Sequence, residues 1–163
     1  MADALDRVVD YVTSTLESLP LETCAAFDVA RGVYRRAGVG GGRLELEEMI
    51  GQSRLFEIDL GDLELSPIMM GNGVPVSYEA SFPVVFRYEG GGPHARASIL
   101  QQVALDVRVS VDAIQRGQWS SVGGCVAMRA EPGTIQRFVL SDDAGHSYEG
   151  YSSEVVVLCS FDD

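Results

Sequence analysis

The chain has 163 residues, 46% hydrophobic and 22% charged, which suits one globular domain, 1–163, with a core of its own. Its 24 acidic residues against 12 basic ones, all arginine, leave a net charge of -12, which argues against tight binding to nucleic-acid phosphates. No apolar run approaches the roughly 20 residues of a membrane helix, and three cysteines without close spacing argue against a disulfide framework.

The opening residues, Met1 to Arg7, are acidic and lack the cationic and apolar regions of a signal peptide. A helix is predicted over Asp3–Ser18. Leu5, Val8, Val9, Val12 and Leu16 fall on one face, Asp3 is placed to cap it, and Pro20 stops it. From Leu21 to Ser53 the pattern weakens. Gly38–Gly42 between arginines reads as a flexible glycine-rich insert around 29–53, with a short helix near Leu44–Ile50. No phosphate-loop motif accompanies those glycines.

Arg54–Leu60 alternates as a half-buried strand, with Phe56, Ile58 and Leu60 opposite Glu57 and Asp59. A loop is expected next, punctuated by Pro67, Gly71, Gly73 and Pro75. Tyr78–Tyr88 is the clearest strand. Tyr78, Ala80, Phe82, Val84, Phe86 and Tyr88 share its apolar face, and Pro83 marks a bulge or unpaired edge. His94–Arg116 reads as a long helix whose stripe of Ile99, Val103, Val107, Val111 and Ile114 should cover that face, with Gly117 at its end.

Gly124–Ala130 and Thr134–Leu140 are expected to form a hairpin about Glu131-Pro132-Gly133. Tyr151–Phe161 is the last strand, apolar in the middle of both faces, so that cover is expected on both sides. The fold class is therefore α+β, an antiparallel sheet with two main helices on one face, in the order α-β-β-α-β-β-β.

No catalytic constellation is visible. His94 and His146 have no metal-ligand partner at the usual spacing, so no metal site is expected. Cys125 and Cys159 fall on strands and read as small core residues. Asp59, Asp62 and Glu64 lie close together but read as a solvated acidic edge. Trp119 is expected to cap the core beneath the hairpin. No cofactor is implied.

The opening helix with Asp6-Arg7-Val8-Val9-Asp10-Tyr11-Val12 is followed by Phe56-Glu57-Ile58-Asp59-Leu60 and the long strand Tyr78–Tyr88. Then come a helix carrying Leu105-Asp106-Val107, Trp119, and the closing Val155–Phe161. In element order, size and strand style this resembles the tail terminator proteins of long-tailed phages, the tail-to-head joining group. The glycine-rich stretch 29–53 departs from that pattern.

The resemblance implies a structural virion protein at the tail-neck junction, made in the host cytoplasm and without catalytic residues. It implies a hexameric ring that caps the tail tube, stops its growth and joins the tail to the head connector, with DNA passing through the bore. Its partners would be other copies of itself, the tail tube protein and the connector, with no membrane. On that reading Val156 and Leu158, on the otherwise polar face of the last strand, are expected at a subunit interface or under the first helix. Glu57, Asp59 and Glu79 are expected to line an acidic bore. The competing readings are a small-molecule-binding or enzymatic α+β domain, whose aromatic row lines a pocket, and an acidic adaptor or chaperone.

Overall fold

The computed structural model describes residues 2–22, 33–37, 54–69, 71–73, 75–89, 96–141 and 144–162. In chain order the elements are α1 (Ala2–Ser18), β1 (Arg35–Arg36), β2 (Leu55–Ile58), β3 (Glu64–Met69), β4 (Pro75–Glu89), α2 (Arg96–Arg116), a 3-10 turn (Trp119–Ser121), β5 (Cys125–Ser141) and β6 (Ser147–Asp162). This is the expected α+β class. The helices pack on one face of a six-stranded sheet in which, among the described residues, β1 alone pairs in parallel.

The sheet runs β1-β2-β4-β6-β5, and β3 lies along the other half of β4, on the same side as β2. Pairing with β3 ends at Ser81 and pairing with β2 begins at Val84. Pro83 sits at that junction, where a residue without an N–H leaves little unpaired, and its carbonyl accepts the Asp59 N–H at 3.0 Å. The bulge or free edge that this proline suggested is thus a change of partner strand.

Alternation fixes the core. Phe82, Val84, Phe86 and Tyr88 of β4 and Val155, Val157, Cys159 and Phe161 of β6 face the helices and are buried. Val8, Val12 and Leu16 of α1 and Ile99, Val103, Val107 and Ile114 of α2 close over them, while Val111 and Tyr78 stay half-buried at the margin. The Tyr11 hydroxyl donates to the Ile114 carbonyl at 2.9 Å and ties α1 to the end of α2. Asp3, expected as a cap, lies inside the first turn, where its charge still favours the positive helix end.

Four expectations are corrected. The predicted loop after Leu60 contains β3, which Pro67 and a fully exposed residue pattern disguised. The predicted hairpin about Glu131-Pro132-Gly133 is one continuous strand. Between Pro132 and Ile135 the register shifts, so Gly133 and Thr134 form a bulge opposite Glu154, and the true hairpin joins β5 to β6. The element order is accordingly α-β-β-β-β-α-β-β. Within the expected insert 29–53, Val33–Ala37 is docked rather than free: Tyr34 is 1% exposed and Arg35–Arg36 pairs with β2. The glycines Gly38–Gly42, the helix predicted near Leu44–Ile50, His94 and Cys24 lie outside the described residues.

Candidate functional site

The face of the sheet away from the helices carries the residues that the sequence singled out. Register places Glu57, Glu79, Glu131 and Glu154 on it, with Arg87 and Arg129 as its basic residues from the long strands. Glu57 pairs with Arg87 at 3.2 Å and Glu131 with Arg129 at 2.9 Å. Glu79 and Glu154 are exposed and make no ion pair among the described residues. Arg87 lies 5.8 Å from the ring centre of Phe138, close enough for a cation–π contact.

Val156 and Leu158 stand in the middle of this face and are half-buried. Val156 lies beside Pro83 and Glu131, and Leu158 beside Ser81 and Arg129. The second of the two expected settings, a place under the first helix, is ruled out: α1 covers the face that bears Val155 and Val157. The expected separation of an apolar pair from an acidic group also fails, because Val156, Leu158, Glu57 and Glu79 share one surface. Asp59 lies just past β2, where its Oδ1 accepts the Gly61 N–H at 2.9 Å and caps a turn.

The bulge at Gly133 opens the sheet on both sides. On the acidic face, Val85, Thr134, Gln136, Ser152 and Glu154 line a shallow pocket of about 270 Å³. On the helix side, a cleft of about 280 Å³ lies between α2 and β5, lined by Ala104, Val107, Val111, Pro132 and Ile135. Arg108 stands at that cleft too, and the buried Ser153 contributes a hydroxyl with no hydrogen-bond partner. Sequence reasoning missed both, because the residues of a bulge are also those of a turn.

A second polar cluster was hidden in the core. Arg54 and Asp106 are fully buried, with Arg54 Nε donating to Asp106 Oδ2 at 3.0 Å. Tyr88 donates to the same oxygen at 3.1 Å, and Gln102 donates to Oδ1 at 2.8 Å. The Tyr34 and Tyr88 hydroxyls share a hydrogen bond at 2.5 Å. Burial pushes both tyrosines well above the usual phenol range, with the neighbouring Asp106 charge adding to it. Arg54 also donates to the Glu22 carbonyl, so one guanidinium holds the end of the α1 connection, the start of β2 and the middle of α2. A legible signal existed: Asp106 interrupts the apolar stripe of α2, one turn after Val103 and one turn before Ser110.

Cys125 and Cys159 are buried free thiols, and burial raises Cys159 to about 12, which keeps it protonated and unreactive. The Trp119 indole donates to the Gln115 carbonyl at 2.9 Å, half-buried against the core. His146 is exposed in the β5–β6 turn. Among the described residues no three His, Cys, Asp or Glu side chains gather as a metal site, and no helix is long and apolar enough to cross a membrane. No family model matches the sequence, and no curated protein is similar to it.

Proposed function

We propose that the chain is a ring-forming structural protein of the tail-terminator kind, with the acidic sheet face turned toward a bore through which DNA passes. The observation that carries this reading is the charge of that face. Glu57, Glu79, Glu131 and Glu154 stand against Arg87 and Arg129, and no described helix covers them. A surface whose acids outnumber its bases repels phosphates and lets DNA pass without sticking. The same charge disfavours pairing this face with its own copy, since like charges would meet. Val156 and Leu158 then belong to the bore wall and not to a subunit contact. In this reading the ring caps the tail tube and presents its other side to the head connector, within the virion.

Light scattering on the eluting protein tests the reading. A closed ring has a mass that is a whole multiple of 17.6 kDa, six-fold for a hexamer. Formation alone or upon added tail tubes supports it. A chain that stays at 17.6 kDa in both cases refutes it.

A further inference from the structure

Two exposed features of this chain are complementary and cannot meet within one copy. The first is β3. All six of its residues are exposed, Leu65 by 44%, and its only ladder partner among the described residues is β4. Leu65 and Pro67 lie opposite Ala80 and Tyr78, so they carry the helix-side face of the sheet out beyond the helices. Asp62 lies in the turn just before this strand, exposed and not ion-paired among the described residues.

The second feature is the cleft between α2 and β5. Its 280 Å³ falls short of the roughly 300–1,000 Å³ of a small-molecule pocket and suits one or two apolar side chains. Arg108 at its lining is exposed and has no acidic partner among the described residues, in a chain where acids outnumber bases two to one. The Ser153 hydroxyl in the cleft is a buried donor without an acceptor, and a free strand edge offers carbonyl oxygens.

We propose that the β3 edge of one copy seats in the α2–β5 cleft of a second copy, with Leu65 among Val107, Val111 and Ile135, and Arg108 facing Asp62. The sheet order puts β4 and β6 between β3 and β5, so a chain cannot make this contact with itself. Both features lie on the helix side of the sheet, so the acidic face stays free. The contact joins two different patches, which makes it head-to-tail: repeated by rotation, it closes a ring or extends a filament. The inference deepens the ring reading and rests on it by naming the subunit contact.

The test is a pair of cysteines, Leu65→Cys with Ala104→Cys, in the full chain under mild oxidation. A head-to-tail contact yields a ladder of covalent multimers beyond the dimer on a denaturing gel, while each single variant yields none. Charge reversal supplies the second arm: Arg108→Glu weakens assembly about tenfold, and adding Asp62→Arg restores it. Rings of normal mass without a ladder overturn this contact and leave the ring. A ladder that stops at dimers overturns it as well, because the contact would then be two-fold. A chain that stays monomeric at every concentration removes the contact and the ring together.

Discussion

Arg54 and Asp106 meet 3.0 Å apart with each side chain about 1% exposed, although 52 residues separate them in the chain. Arg54 holds this position with a positive φ of 60°, which is unusual for a residue other than glycine. Its neighbours compensate: the guanidinium bonds Asp106 and Glu22, and the Arg54 carbonyl accepts the Arg35 N–H at 3.0 Å. Asp106→Leu leaves the buried cation without its carboxylate and should cost about 3–5 kcal/mol. Arg54→Met together with Asp106→Leu should recover part of that loss, because neither charge is then stranded. Urea midpoints of the three proteins measure it; an unchanged midpoint for Asp106→Leu would show that the pair is solvated.

Glu149 joins two elements. Its carboxylate accepts from Arg96 at the start of α2 at 2.9 Å and from Arg137 on β5 at 2.8 Å. These arginines, chiefly through their hydrogen bonds, lower its pKa to about 2, below the usual carboxylate range. The folded state therefore binds this proton less readily than the unfolded chain. Its contribution is complete above about pH 4.5 and is lost as pH falls toward 2. The stability difference between the native protein and Glu149→Gln should be constant near neutrality and shrink through that window. A difference that persists unchanged at the acid end would contradict the assignment.

Gly150 has no room for a side chain. A Cβ there would strike the Phe138 ring and the Tyr88 carbonyl. Phe138 lies across this position on the acidic face, where Arg87 stacks over it. Gly150→Ala should cost about 1–3 kcal/mol by overpacking. Gly71 meets nothing within 4 Å, so Gly71→Ala should stay within about 0.5 kcal/mol of the parent. Thermal midpoints of the two variants distinguish a crowded ladder position from an open turn.

The acidic face gives a functional prediction. Glu79→Lys should leave the ring mass unchanged and slow the passage of DNA, more so at low salt, where charges are poorly screened. On the proposed ring, Leu158→Asp adds one more acid to a sheet face that is already acidic, so rings should still form. Loss of the ring by a folded Leu158→Asp protein would return Leu158 to a subunit contact. Salt-independent, unaltered passage with Glu79→Lys would reduce the charge to a solubility device.

The helix stripes and the aromatic face of β4 were legible because they depend only on backbone periods of 3.6 and 2. Val8, Val12 and Leu16, and then Phe82, Val84 and Phe86, repeat at those periods and are buried. What the sequence could not show depends on register and distance. Glu131-Pro132-Gly133 serves a turn or a bulge equally well, and only the pairing with Val155 and Val156 made it a bulge. β3 lacks apolar alternation because neither of its faces is buried, so its one signature is a ladder with β4 that lies outside its own residues. Val156 and Leu158 were visible as apolar residues on a polar face, but which face the helices chose was decided by the burial of Val155 and Val157. Arg54, Asp106, Tyr34 and Tyr88 read locally as an isolated cation, an isolated acid and two aromatics. They become one network only where β1, β2, β4 and α2 converge, because a charge can be buried only where partners from distant segments meet it.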